Sequence, residues 1–131
     1  MRLRTVVSTA VALVFMAQVA LAGIGDYRCS DPGRVYHGNA RLIRKPAVIS
    51  ADRVYERIPE YRKILDEKLS DKDVRYHFLM KKASERFAKA VKKMARAKGH
   101  DFVAEIGAVE VVKEKAPKPV DRTREVIDRL D

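Results

Sequence analysis

The chain has 131 residues, of which 28 are Lys or Arg and 18 are Asp or Glu, so its net charge at pH 7 is +10. Hydrophobic residues make up 47% of the sequence, which excludes a wholly disordered polar chain and fits one small folded domain. The single cysteine excludes a disulfide framework within the chain. The basic balance favours anionic partners such as acidic polypeptides, lipid headgroups or nucleic acid.

The first 22 residues have the pattern of a secretory signal peptide. Arg2 and Arg4 precede an apolar run over 6–21, and Ala20-Leu21-Ala22 forms the small-x-small site that a signal peptidase reads. We expect cleavage before Gly23 and export to the periplasm, where nucleic acid is the weakest of the possible partners. The apolar run is short for a bilayer span of about 20 residues, which argues against the alternative of an uncleaved anchor. Cleavage removes two arginines and no acids, so the remaining 109 residues carry about +8.

The next segment, 23–45, shows no clear period and contains the turn signals Asp31-Pro32-Gly33 and His37-Gly38-Asn39. We interpret it as an irregular, basic N-terminal arm. A short apolar run headed by proline follows and predicts a strand over 46–50. One or two turns of helix are expected directly after this strand.

A helical hairpin is predicted over about 59–98. Pro59 suits the first turn of one helix, and Asp73 can cap the next. Apolar residues in the second helix recur at alternating spacings of four and three, which is typical of a coiled-coil seam, and Gly99 stands where a C-terminal cap is expected. The predicted seam consists of Tyr76, Met80, Ala83, Phe87, Ala90, Met94 and Ala97.

The other faces of the second helix are densely basic. Such a run is either a solvated surface or a positive surface that faces an acidic or unfolded partner, and the sequence leaves both interpretations open. The candidate binding residues are Lys81, Lys82, Arg86, Lys89, Lys92, Lys93 and Arg96.

Beyond the hairpin, strands are predicted over 102–105 and 108–112, joined at Ile106-Gly107. After a Lys/Pro linker, Thr123 can cap a short helix over about 123–130. The expected fold class is therefore α+β: a small β head of about three strands, a projecting helical hairpin of coiled-coil type, and a short C-terminal helix.

Three motifs succeed one another around these elements: Asp52-Arg53-Val54-Tyr55-Glu56-Arg57-Ile58-Pro59-Glu60-Tyr61, then Gly99-x-Asp101-Phe102-Val103-x-Glu105-x-Gly107-Ala108-Val109, then Asp121-x-Thr123-x-x-Val126-Ile127. Their order resembles the Skp/OmpH-like periplasmic chaperones over 46–131. The resemblance implies a strand near the N-terminus that pairs with strands after the hairpin. It also implies a trimer whose small β-barrel head carries helical tentacles that enclose unfolded outer-membrane proteins. The hairpin of this chain is much shorter than the tentacles of that family, and the arm 23–45 has no counterpart there.

Short strands in a small head leave unpaired edges, which association between chains would cover. We expect a homo-oligomer, a trimer by the resemblance, with a shared core formed by Val48, Phe102, Val103, Val109 and Val111. The expected function is that of a periplasmic holdase-type chaperone for unfolded outer-membrane or envelope proteins. The alternative is a basic envelope protein that binds membrane headgroups or other polyanions without chaperone activity.

An enzymatic function is not expected, because no catalytic, cofactor or metal motif is found. His37, His77 and His100 are far apart in sequence, and no cysteine pair accompanies them. A nucleophile elbow, a P-loop and a dinucleotide-binding glycine pattern are also missing from the sequence.

The signal-peptide interpretation makes a simple prediction. The intact mass of the protein recovered from a native envelope fraction should correspond to a chain that starts at Gly23. Recovery of the full-length chain from the cytosol would contradict export and the expected role in the periplasm.

Overall fold

A computed structural model of the protein describes residues 25–131, and the predicted signal peptide lies outside these residues. The described chain is α+β, with two sheets and four helices, one of them long. The strands are β1 (Tyr27–Cys29), β2 (Val35–His37), β3 (Pro46–Ile49), β4 (Phe102–Glu105), β5 (Val109–Val111) and β6 (Val120–Asp121). The helices are α1 (Ala51–Tyr55), α2 (Pro59–Asp66), α3 (Val74–Lys98) and α4 (Thr123–Ile127), and a 3-10 turn occupies Pro32–Arg34.

The larger sheet has the strand order β2-β4-β3-β6. β3 is parallel to both β4 and β6, with Ala47 opposite Val103 on one side and Val120 on the other, whereas β2 is antiparallel to β4. Parallel neighbours need a long crossover connection, and α1, α2 and α3 together provide it between β3 and β4. The strand predicted over 46–50 is confirmed over Pro46–Ile49 and is a central strand of this sheet.

The described part of the predicted irregular arm is in fact built into both sheets. β1 pairs antiparallel with β5, with Tyr27 opposite Val111, and β2 pairs with β4, with Val35 opposite Ala104. The prediction of an irregular segment is therefore wrong for these residues. Strands of three residues are too short to show an alternating pattern, and the turn signals between them dominate the sequence.

The strands predicted over 102–105 and 108–112 are present, as β4 and β5, but they belong to different sheets. Gly107, at φ 90°, lies in the turn after β4, and β5 then joins β1 in the separate two-stranded sheet. A further strand, β6, follows the Lys/Pro linker at Val120–Asp121 and was not predicted. The larger sheet thus has four strands, and the head has more strands than the expected three.

The apolar face of α3 packs into the main core, and only part of it contacts α2. Phe87 stacks on Tyr55 with ring centroids 4.8 Å apart and meets the ring of Tyr36 edge-on at 5.2 Å. The same core contains Ala47 and Val103 of the sheet. Along the predicted seam, Ala83, Phe87, Ala90 and Met94 are buried, Tyr76 and Met80 are half-buried, and Ala97 is exposed. The buried face also includes Leu79, Val91 and Ala95, so it is wider than a coiled-coil seam.

The ends of the helices follow the sequence signals closely. Pro59 is the first residue of α2, Asp73 is the N-cap of α3, and Gly99 caps α3 in the left-handed conformation at φ 73°. The Asp73 carboxylate accepts a hydrogen bond from the Ser70 amide (2.9 Å) and makes none to the helix itself. The predicted helix ends are confirmed, since such signals act locally, but a capping hydrogen bond from the Asp73 side chain is not observed.

The last helix is shorter than predicted, ending at Ile127, and Thr123 is its first residue and not its cap. The Thr123 hydroxyl accepts from the Ser50 amide (2.9 Å) and donates to the Asp121 carboxylate (2.6 Å). Burial raises the pKa of Asp121, but the hydrogen bonds from Thr123 outweigh it and hold this pKa below its usual value. The network joins the start of α4 to the end of β3.

Gly38 is placed where only glycine fits. Its φ is +92°, and an added Cβ would lie 2.1 Å from the carbonyl oxygen of Asp101. Gly107 has nearly the same φ, +90°, but nothing lies within 4 Å of its would-be Cβ. An alanine at Gly38 would therefore suffer both backbone strain and steric overlap, whereas an alanine at Gly107 would suffer backbone strain alone.

We predict that Gly38→Ala lowers the free energy of unfolding by about 2–4 kcal/mol, because backbone strain and overlap add. Gly107→Ala should cost only about 1 kcal/mol, since it carries the strain alone. Urea denaturation of both variants measures the difference. Equal losses at the two positions would contradict the close approach of Gly38 to Asp101.

Candidate functional site: a basic groove along the long helix

Four of the seven predicted basic residues come together in one groove. Lys82, Arg86, Lys89 and Lys93 recur at spacings of four, three and four on one side of α3, so they form a row about 16 Å long. The groove, which we call the basic groove, has a volume of about 390 Å³. Its lining residues are Glu60, Lys82, Glu85, Arg86, Lys89, Lys93, Arg129, Leu130 and Asp131.

The remaining three predicted residues, Lys81, Lys92 and Arg96, are exposed and lie outside this groove. A charge run on a helix can face several directions, and the 3.6-residue period distributes these side chains around it. Lys81 and Lys92 therefore provide a natural control for the lysines of the groove.

The opposite wall of the groove is formed by Arg129, Leu130 and Asp131, which were not among the predicted binding residues. Leu130 is buried, and Arg129 donates to the Glu125 carbonyl oxygen at 3.1 Å. The sequence shows that Arg129 is a basic residue at the end of the predicted last helix. Its proximity to α3, however, depends on how α4 packs. That packing buries Val126 and Leu130 in the same core as α3.

Arg86 has a structural role at the floor of the groove. Its guanidinium donates to Glu60 Oε1 at 2.7 Å and to the Leu130 carbonyl oxygen at 3.3 Å, so it connects α2, α3 and the C-terminal segment. The Glu60 side chain is only 14% exposed, and its Oε2 is buried without a hydrogen-bond partner among the described residues. Burial raises the pKa of Glu60, but the Arg86 hydrogen bond, its own backbone amide and nearby positive charge lower it more, and the net pKa lies below 4.5.

The lysines of the groove carry its free positive charge. Neither Lys89 nor Lys93 has an ion-pair partner within residues 25–131. Lys82 stands over the ring of Phe78, with its Nζ 4.6 Å from the ring centroid, which is a cation–π contact. Glu85 and Asp131 offset part of this charge at the rim.

A second depression, the tip cleft, continues from the groove toward the loop between α2 and α3. It has a volume of about 320 Å³ and shares Glu60 and Lys82 with the groove. Phe78 lines it and is 56% exposed, and Leu79 lies at its base. The groove and the cleft together present free amines beside an aromatic surface.

Other large apolar side chains are exposed near the same loop. Val74 at the start of α3 is 86% exposed, and Leu65 near the end of α2 is 54% exposed. Single exposed apolar residues are common, but several near one loop form a region suited to weak apolar contacts.

The predicted oligomer core is divided by the structure. Phe102 and Val103 are fully buried within one chain, because Val103 packs in the main core and Phe102 packs against Tyr27 and Ile43 on a second core, so they are not available for contact between chains. Val48 and Val109 are half-buried, and Val111 is 38% exposed. Only these three valines stay candidates for such an interface.

Metal-ligating side chains do not cluster in the part of the chain that the structure describes. Residues 25–131 contain no group of three or more His, Cys, Asp or Glu side chains that could hold a metal ion. Burial, together with the nearby Glu105, raises the pKa of Tyr36 to about 12, so this phenol stays protonated. In the same residues, no helix combines the length and apolar character needed to cross a membrane.

Comparisons with protein-family models, curated proteins and solved structures give no match to this chain. Inferences about function therefore depend on the groove, its charges and the surrounding fold.

The Glu60–Arg86 pair gives a pH-dependent prediction. Because the folded pKa of Glu60 is lowered, its contribution to stability is complete above the unfolded value of 4.5 and is lost as the pH falls through the folded value. Glu60→Gln should therefore lower the free energy of unfolding by about 1–2 kcal/mol at pH 7, a range reduced for the partial exposure of Arg86. The deficit should shrink as the medium is acidified, which urea denaturation at a series of pH values measures.

The matched control is Glu114→Gln, since Glu114 is exposed and has no ion pair within the described residues. This change should stay within about 0.5 kcal/mol of the parent at every pH. A deficit for Glu60→Gln that does not change with pH would show that its carboxylate is not held ionised by Arg86.

Proposed function

We propose that the protein is a holdase-type chaperone of the periplasm that binds unfolded outer-membrane or envelope proteins along α3. The observation that carries the proposal is the row of unpaired lysines, Lys89 and Lys93, which continues through Lys82 to the exposed ring of Phe78. An unfolded acidic chain offers carboxylates to the lysines and apolar side chains to the ring.

The open shape of the groove suits transient holding. Charges at an exposed surface interact over a Debye length of about 8 Å at physiological salt, so contacts with a passing chain form quickly and remain weak. Apolar contact at Phe78 and nearby exposed residues adds a contribution to binding that salt does not screen. Neither the electrostatic nor the apolar contribution requires a fixed sequence in the client.

Part of the chain topology supports the resemblance to the Skp/OmpH-like chaperones, although β5 pairs with β1 and not with β3. A strand near the N-terminus, β3, pairs with β4 and β6, both of which follow the helical crossover. The crossover is short, since α2 has eight residues and α3 has 25, so a client would lie along the groove of a single chain. A trimer stays part of the proposal, because β2 and β6 are sheet edges that association could cover.

The second candidate function is binding of polyanions or anionic headgroups without chaperone activity. It is favoured by the five basic side chains that share one groove, namely Lys82, Arg86, Lys89, Lys93 and Arg129. The two functions differ in the need for apolar contact, because headgroup binding does not require the ring of Phe78.

The test measures aggregation of a urea-denatured acidic outer-membrane protein after dilution into low salt, followed by light scattering with and without the purified protein. The double variant Lys89→Glu/Lys93→Glu should bind the client roughly tenfold more weakly, since reversing two exposed charges changes the interaction by on the order of 1–2 kcal/mol. The control Lys81→Glu/Lys92→Glu makes the same change in net charge outside the groove and should protect like the parent. Phe78→Ser should weaken protection in high salt as well as in low salt.

Each outcome has a distinct meaning. Equal loss in the two double variants would mean that net charge acts without the groove, and full protection by both would exclude the groove as the client site. If the parent does not protect but binds anionic vesicles through Lys89 and Lys93, the second candidate function is the correct one.

A further inference from the structure

A separate cleft lies at the other end of α3 and belongs neither to the basic groove nor to the tip cleft. It has a volume of about 240 Å³ and collects side chains from the loop before β3, the end of α3 and the segment between β5 and β6. We call it the α3-end cleft, and its lining residues are Tyr27, Arg44, Lys45, Pro46, Lys98, Gly99, His100, Pro117, Lys118 and Val120.

Four cations of this cleft come from three separate segments and lack ion-pair partners within residues 25–131: Arg44, Lys45, Lys98 and Lys118. Among the described residues no acidic side chain lines the cleft, whereas three acids line the basic groove. Like charges brought together from distant parts of a chain repel one another, and a bound anion relieves that repulsion.

The loop that carries two of these cations is held in place by the protein itself. The Asp101 carboxylate accepts hydrogen bonds from the amides of Arg44 (3.0 Å) and Lys45 (2.8 Å). His100 Nδ1 lies 3.1 Å from the Lys45 carbonyl oxygen, and its Nε2 accepts from Arg122 at 3.0 Å. The nearby acid and imidazole thus support the backbone, and the loop is ordered before any ligand arrives.

The floor of the cleft is apolar. It is formed by the ring of Tyr27, by Pro46 and Pro117, and by Val120, which is 46% exposed. The Tyr27 hydroxyl donates to the Pro117 carbonyl oxygen at 2.5 Å, which fixes the ring against this floor. A ligand that fits must therefore combine negative charge with an apolar body.

We propose that the α3-end cleft binds a phosphomonoester group attached to an apolar body. A phosphomonoester carries about −1.5 to −2 charge at pH 7 and three strong acceptor oxygens, which suits several cations lining one cleft better than a single carboxylate does. Arg44 can bind such a group through its planar fork and the three lysines through point charges, while the apolar body covers Tyr27 and Val120. The ligand is either a small soluble molecule or a lipid headgroup, since the chemistry is the same for both.

The test uses nitrogen-15 NMR spectra of the purified protein, titrated with phenyl phosphate. Saturable shifts are expected at the amides of Lys45, Gly99, His100 and Lys118. Lys98→Gln/Lys118→Gln should raise the dissociation constant about tenfold, whereas Lys81→Gln/Lys92→Gln, with the same loss of charge elsewhere on the surface, should change it less than about twofold. Benzoate, with the same ring and one negative charge, should bind several times more weakly than phenyl phosphate.

Sedimentation with phosphatidic acid vesicles, compared with phosphatidylcholine vesicles, distinguishes the two sources. Vesicle binding that is lost in Lys98→Gln/Lys118→Gln supports a lipid headgroup, and phenyl phosphate binding without vesicle binding supports a soluble ligand. Shifts that do not saturate, or equal weakening in the two double variants, would overturn the proposal. Lys89→Glu/Lys93→Glu should bind phenyl phosphate like the parent. The proposal for this cleft can therefore fail or succeed independently of the proposal for the basic groove.

Discussion

The parallel pairing of β3 with β4 is the constraint on which the rest of the structure depends. Two parallel neighbours cannot be joined by a tight turn, so the chain between them must leave the sheet and return. The helices between them make this connection, and α3 returns across the sheet with its apolar face buried in the core. The basic side of α3 is thereby turned outward, and the position of the groove follows from the sheet topology.

The same crossover also determines what lies opposite the basic residues. α2 begins with Pro59, and Glu60 in its first turn meets Arg86 across the helix pair. The end of the chain then packs beside them through Leu130, whose carbonyl oxygen also accepts from Arg86. One guanidinium therefore holds the floor of the groove together, and within residues 25–131 the next two lysines of the row, Lys89 and Lys93, have no ion-pair partner.

The middle and the C-terminal end of α3 present different electrostatic environments. Around its middle, lysines are mixed with acidic side chains and lie next to an exposed aromatic ring, an arrangement suited to weak contact with a variable polypeptide. At its C-terminal end, cations from three segments surround an apolar floor that no acidic side chain of the described residues lines, an arrangement suited to a compact anion. A basic protein of this size can thus carry two sites with different requirements, because net charge alone does not decide how charges are grouped.

The sequence by itself determined the local features: the strand that begins at Pro46, the start of α2 at Pro59, the long helix and its glycine cap at Gly99. Proline, glycine and helical periodicity act over a few neighbouring residues, so their consequences can be predicted without the fold. Only the tertiary structure decided that β1, β2 and β6 exist, that β5 leaves β4 for another sheet, and that Lys82, Lys89 and Lys93 share a groove while Lys81 and Lys92 do not. Strands of two or three residues are stabilised by partners far away in the chain, so they show no recognisable pattern in the local sequence. A groove needs a second wall from another segment, so the local sequence of α3 cannot predict it.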